Sequence, residues 1–274
     1  MTPTSGPASL ADRFWPEVDA TGARTMLVVP VGSLEQHGPH LPLDTDTRIA
    51  AALARLLAES LGDEPLGVPV MVAPPVAYGA SGEHQDFAGT VSIGTAALET
   101  LLIELVRSAR RSFGAVLLVS THGGNAEAVG GALRRARAEG DLVAAGPSSP
   151  GDPSRTGSPR PSRPGSFGTG RRDAHAGRTE TSIMLALDPG AVGRELVPGR
   201  REPIARLLPG LRARGVRALS PNGVLGDPRG ASAEEGHRLL AEAVLALRAV
   251  AVALGARIGG GPERRRGVAP PNAR

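Results

Sequence analysis

A chain of 274 residues is long enough to bury a full core, as one large α/β domain or two small ones. With no cysteine, disulfides and thiolate metal sites are excluded, and any metal must be held by His, Asp and Glu. The net charge of +4 is misleading: residues 146–172 carry five Arg against one Asp, and residues 261–274 carry four Arg against one Glu, so these two segments hold seven positive charges net and the remainder is negative by three.

That distribution, with only 2% aromatic residues for base stacking, argues against a nucleic-acid partner. No apolar run approaches the length of a membrane span. Met1 to Asp12 has no basic region followed by an apolar stretch, so no secretory signal is read and a cytoplasmic location is expected.

In chain order, residues 25–31 form the first predicted strand. A helix is expected from Thr45 or Asp46, with Ile49, Leu53, Leu56 and Leu57 at helical spacing. Residues 68–73 read as a second strand closed by Pro74-Pro75. Leu98, Leu102, Leu105 and Val106 mark another helix. Residues 115–120 are uniformly apolar up to Ser120, as in a buried parallel strand, and a helix follows to about Glu139. A short strand over 141–145, a helix from Glu180 to Leu187 and a long helix from about Ala233 to Leu254 complete the pattern. Strands alternating with helices predict an α/β class: a single-domain layered fold with a mostly parallel sheet flanked by helices. Residues 146–172, made of Gly, Pro, Ser and Arg, read as a disordered insertion in a domain spanning 1–260. Residues 261–274 read as a disordered basic tail.

Chemistry concentrates where strands end. Glu35 and His37 are two apart, so an extended segment sends both side chains to one face. Asp46 stands at a helix start, His122 directly follows a buried strand, and Glu180 sits at the mouth of a helix. These five residues offer enough nitrogen and oxygen donors for two divalent metal ions. A mixed set of this kind suits zinc, manganese or iron. Two such ions would acidify a bridging water and polarise a carbonyl. His175 is left over to shuttle a proton to a departing amine. Each residue also has a plain reading: Glu35 as a solvated carboxylate, His37 and His40 as turn caps, Thr45 or Asp46 as an N-cap, Gly123-Gly124-Asn125 as a tight turn or anion nest, and Glu180 as a first-turn acid favoured by the helix dipole.

The block Gly32-Ser33-Leu34-Glu35-Gln36-His37-Gly38-Pro39-His40-Leu41-Pro42-Leu43-Asp44-Thr45-Asp46-Thr47 resembles the creatininase family of metal-dependent amidohydrolases. Ser120-Thr121-His122-Gly123-Gly124-Asn125 and His175-Ala176-Gly177-Arg178-Thr179-Glu180-Thr181-Ser182 resemble the family's second and third motifs. The resemblance implies one metal held by Glu35, Asp46 and His122, and a second held by His37, Asp46 and Glu180, with Asp46 bridging. It also implies His175 as the catalytic histidine and a homo-oligomeric assembly. Creatininase proper places a ligating glutamate two residues after the second-motif histidine. Here that position is Gly124, and Glu180 is taken as the replacement. The only tryptophan is Trp15, which leaves no counterpart to the tryptophans that close over creatinine.

Within the family, Tyr78-Gly79-Ala80-Ser81-Gly82-Glu83-His84-Gln85-Asp86-Phe87-Ala88-Gly89-Thr90 and Asp173-Ala174-His175-Ala176-Gly177-Arg178 resemble the peptidase branch of mycofactocin biosynthesis. This implies cleavage of a modified precursor peptide near its C-terminus, at a Gly–Val bond, by a metal-bridging hydroxide, releasing a Val–Tyr-derived cyclised product. Glu83 and His84 would then line the substrate pocket. Two alternatives stand beside it. One is a creatininase-type or formamide-cleaving enzyme acting on a small amide. The other is an arginine-rich anion-binding protein.

Overall fold

The computed structural model describes residues 8–21, 24–62, 68–146 and 173–258. The expected insertion (146–172, apart from Gly146), the basic tail and the end of the domain drawn at 1–260 lie outside the described residues.

Five strands form one sheet: β1 (Ala8–Ser9), β2 (Met26–Val31), β3 (Val70–Val72), β4 (Ala115–Ser120) and β5 (Val143–Ala145), in the order β1-β3-β2-β4-β5. Every pairing is parallel. The helices are α1 (Trp15–Thr21), α2 (Thr45–Gly62), α3 (Thr95–Ala109), α4 (Ala126–Ala138), α5 (Arg178–Leu187), α6 (Ile204–Leu219) and α7 (Ala233–Gly255).

β2 and β4 are buried along their whole length. Successive side chains of a strand point to opposite faces. Met26 and Val28 of β2, with Ala115, Leu117 and Val119 of β4, therefore face Ile49, Leu53 and Leu57 of α2 and Leu240 and Leu247 of α7. Leu27, Val29, Val31, Val116 and Leu118 face Leu98, Leu102 and Val106 of α3 and Val129 and Ala132 of α4 on the other side. A sheet covered on both faces needs strands apolar at every position, which is why these two read as unbroken runs. Each fully buried Leu contributes about 1.5–3 kcal/mol relative to exposure.

The order places the chemistry. The chain leaves β2 for α2 and β3 on one side, and leaves β4 for α4 and β5 on the other. The carboxyl ends of β2 and β4, paired as Val31 with Ser120, therefore flank the point where the winding reverses. In open parallel sheets this is where a crevice forms.

The expected α/β fold is observed, with trimmed strands: Val70–Val72 for 68–73 and Val143–Ala145 for 141–145. α7 begins where expected, its Ser232 Oγ accepting the Glu235 N–H as an N-cap. Three elements were not expected: β1, α1 and α6. α6 contains Pro209 and breaks at Gly215, so its apolar period is interrupted. It buries Leu207, Leu211 and Val216 with Leu225 in a small separate cluster. No helix among the described residues is long and apolar enough to cross a membrane.

Candidate metal centre

After β2 the chain turns sharply over residues 35–41, with Gly38 in the left-handed region at φ 64°. This brings Glu35 and His37 beneath the end of the sheet, both fully buried. Asp46 lies in the first turn of α2 and is also buried. Its carboxylate turns inward, where Oδ2 accepts a 2.6 Å hydrogen bond from Ser33 Oγ. His122 is the second residue beyond β4, and Thr121 beside it donates from Oγ1 to the Asp46 carbonyl at 2.7 Å. Glu180 lies in the first turn of α5, and its Oε2 accepts the Ala176 N–H at 2.6 Å. Ala176 adopts φ 50°, unusual for a residue with a side chain, and this aims its N–H at that carboxylate.

These five side chains converge. Glu35, Asp46 and His122 form one set able to share a cation, and His37, Asp46 and Glu180 form another, with Asp46 in both. His37 Nε2 stands 3.6 Å from Asp46 Oδ2 and 3.9 Å from Glu180 Oε2. His122 Nδ1 stands 3.5 Å from the same Asp46 oxygen, and its Nε2 is 3.1 Å from Glu35 Oε2. A third set joins Glu35, His37 and His175.

The donors suit a cation in a further respect. Both Glu35 oxygens and His37 Nε2 are buried without a hydrogen-bond partner. Such groups are costly to bury unless a cation, or without one a proton, stands among them. The opposite ring nitrogens of the two histidines face backbone carbonyls: His37 Nδ1 lies 3.1 Å from Glu35 O, and His122 Nε2 lies 3.2 Å from Ala80 O. Metal-ligating histidines are oriented in this way.

Protonation follows the same map. Burial raises the Glu35 carboxyl to about 7, against the opposing pull of His122. Burial alone would lower His37, but Asp46 and then Glu180 and Glu35 overcome it and hold the imidazole protonated to about 10. His122 is likewise lowered by burial and raised on balance by Glu35 and Asp46. Asp46 resists burial and is held well below the usual carboxylate range by His37 and His122. Burial first, and then the neighbouring His37 and His84 imidazoles, drive His175 well below its ordinary value.

Of the residues expected at the substrate pocket, Glu83 lies on the cleft wall with its carboxylate partly exposed, 3.8 Å from His122 Nε2. His84 is buried. Its Nε2 faces Glu35 Oε1 at 3.3 Å and its Nδ1 faces Gln36 Nε2 at 2.9 Å. His175 Nδ1 stands 3.7 Å from Glu35 Oε1. His40 is turned away from the sets, to Thr181 Oγ1 at 2.9 Å. At Gly124 a Cβ would come within 2.3 Å of His122 Nε2, 2.4 Å of Ala80 O and 2.7 Å of Glu83 Oε1, so the bare glycine leaves room for the Glu83 carboxylate.

Sequence reasoning missed Ser33, Gln36 and Asn125. The Asn125 side chain ties the end of β2 to the segment before the Gly82–His84 turn, donating to Gly32 O at 2.9 Å and accepting from Ala80 N at 2.8 Å. All three lie in the motifs that carried the reading. Their partners, however, are distant in sequence.

Residues 11–251 match the family model described as creatininase, creatinine amidohydrolase. Among curated proteins, the mycofactocin precursor peptide peptidase of Mycolicibacterium smegmatis is 50% identical over 220 residues, covering 80% of this chain and 81% of that one. Among solved structures, a putative creatinine amidohydrolase from Bacteroides fragilis superposes with a TM-score of 0.70 at 26% identity, covering 92% of this chain and 97% of that one. A manganese form of creatininase superposes with a TM-score of 0.66 at 26% identity, covering 89% and 97%.

Proposed function

This chain belongs to the creatininase family, and from that premise we propose that it is a peptidase acting on a modified precursor peptide of the mycofactocin type. It cleaves the amide near the peptide's C-terminus, at the Gly–Val bond, and releases a cyclised Val–Tyr-derived product. An amide hydrolase of this family is the coarser statement and stands on the family match. The finer reading is supported by the 50% identity to the mycobacterial peptidase.

The observation that carries the chemistry is the pair of ligand sets sharing Asp46, with the unpartnered oxygens of Glu35 and the unpartnered Nε2 of His37 turned into it. Glu35, Asp46 and His122 would hold one divalent cation, and His37, Asp46 and Glu180 the other. Zinc is the first choice, and manganese or iron are compatible with the donors. When bound, such a pair polarises the scissile carbonyl and acidifies water.

The chain's own residues supply the rest. Asp46, the residue common to both sets, is pinned by Ser33 at Oδ2, the oxygen that faces His37 and His122. His175 presents Nδ1 toward Glu35 Oε1, and this is the atom assigned to take up a proton from the attacking water and pass it to the departing amine. Its lowered pKa makes a proton held there easy to give away. Glu83 lines the cleft wall, which supports a role in meeting the substrate. By family likeness the chain is also proposed to form a homo-oligomer, which light scattering would read.

The test is mass spectrometry of the zinc-loaded protein incubated with the enzymatically modified precursor. A pair of masses flanking the Gly–Val bond is the expected result. An intact peptide, with metal verified in the protein, would refute the peptidase reading and move the search to small cyclic or formylated amides.

A further inference from the structure

Gln36 is buried between Glu35 and His37, and neither ligand set includes it. Its side-chain amide is held at both ends by the backbone of two glycines. Oε1 accepts the Gly38 N–H at 2.8 Å, and Nε2 donates to the Gly223 carbonyl at 3.1 Å. Both glycines have positive φ, 64° and 80°, and a Cβ on Gly223 would stand 1.8 Å from Gln36 Oε1. The two contacts settle the orientation of the amide: turned over, it would set N–H against N–H at Gly38 and oxygen against oxygen at Gly223.

The second hydrogen on Nε2 has two imidazole nitrogens within reach, His84 Nδ1 at 2.9 Å and His175 Nε2 at 3.1 Å. His175 Nε2 also lies 2.8 Å from the Gln36 carbonyl oxygen, so it must carry a proton and donate there. It therefore cannot accept from the amide, and the remaining amide hydrogen goes to His84 Nδ1. A nitrogen that accepts is bare. The single proton of a neutral His84 is then on Nε2, which faces Glu35 Oε1 at 3.3 Å.

We propose that Gln36 is a positioning residue: its amide holds His84 in the tautomer protonated on Nε2, so that His84 turns an N–H edge, and not a lone pair, toward the Glu35 carboxylate. The same side chain lies against His175 while its own backbone carbonyl takes the His175 Nε2 proton, which leaves His175 Nδ1 bare toward the site. One residue thus sets the proton positions on two imidazoles, one beside a metal ligand and one assigned to proton transfer. Outer partners of this kind are worth about 10–100-fold in metal affinity or activity.

The experiment is long-range 1H–15N correlation on the full chain labelled with 15N-histidine, metal-free and zinc-loaded, which reads the protonated nitrogen of each ring. In the wild type, His84 and His175 should both show a protonated Nε2 and a bare Nδ1. In Gln36→Met, His84 should lose that pattern, whereas His175, bonded to a backbone carbonyl, should keep it. Gln36→Glu, which has no hydrogen to give, should move His84 in the same sense. Turnover by Gln36→Met should fall about 10–100-fold in kcat with KM little changed. A wild-type His84 protonated on Nδ1, or a His84 pattern unaltered in Gln36→Met, would overturn the proposal, and the wild-type spectrum decides even if a variant fails to fold. The kinetic arm rests on the hydrolase reading above and the spectroscopic arm does not. Tautomers as stated in a protein that cleaves no amide would sustain the role of Gln36 and sink the reaction.

Discussion

Ser33 Oγ lies 2.6 Å from Asp46 Oδ2, the oxygen that also faces His37 and His122. A hydroxyl two residues beyond β2 thus sets the angle of the carboxylate that the two ligand sets have in common. A buried hydrogen bond to a charged acceptor is worth about 1.5–3 kcal/mol. Ser33→Ala should keep the fold and weaken cation binding by about 10–100-fold. Calorimetric titration with zinc checks this, and unchanged affinity would show that Asp46 is held by other contacts.

Glu180→Gln separates the two sets. The amide oxygen can still accept the Ala176 N–H, so the start of α5 should keep its shape. The set with His37 and Asp46 loses a negative charge, whereas Glu35, Asp46 and His122 are untouched. Elemental analysis after dialysis should find one tightly held metal per chain for the variant and two for the wild type. Two retained metals would remove Glu180 from the ligands.

Gly124→Ala tests the crowding behind His122. A methyl group there meets the imidazole, the Ala80 carbonyl and the Glu83 carboxylate at once. Overpacking of this kind costs about 1–3 kcal/mol. The expected outcome is a folded protein with His122 displaced and activity reduced at least about tenfold. Wild-type kinetics in this variant would mean that the Glu83 side chain yields freely.

The metal-free protein should lose stability on the alkaline side. Burial opposes protonation of His37, but Asp46 and the other carboxylates raise it from 6.5 to about 10. Its contribution is therefore complete below 6.5 and is lost as pH rises through 10. Glu35, raised by burial from 4.5 to about 7, acts in the same direction over its own lower window. Thermal unfolding in chelator should show Tm falling between pH 7 and 10. Both groups must lose protons to bind a cation, so zinc should bind more tightly over that range and release protons as it does. Calorimetry in buffers of different ionisation enthalpy counts them. A flat Tm over that range would contradict the ion pairing of His37.

The parts legible in the sequence are those set by neighbours along the chain. β2 and β4 are unbroken apolar runs because both faces of the sheet are covered, and Glu35, His37 and His122 follow them within six residues or fewer. α2 and α7 announce themselves by apolar spacing. α6 does not, since Pro209 and Gly215 interrupt its period and its apolar face meets only a small cluster. The Gln36 arrangement was beyond sequence reading for another reason. Apart from Gly38, the side chain's partners are 48, 139 and 187 residues away, and hydrogen-bond direction has no local signature.

Glu83 and His84 occupy consecutive positions in one short turn and both line the cleft, Glu83 with its carboxylate partly exposed and His84 buried with Nε2 facing Glu35. A single peptide unit therefore joins the mouth of the enzyme to its centre. A substrate group that pulled on Glu83 would act through that one unit on His84, whose Nε2 stands 3.3 Å from Glu35 Oε1. Linkage makes such an effect mutual: if an occupied cleft changes how firmly a cation is held, the cation changes by the same factor how firmly the cleft is occupied. An assay of peptide affinity without metal would then report on a different molecule from the one that works.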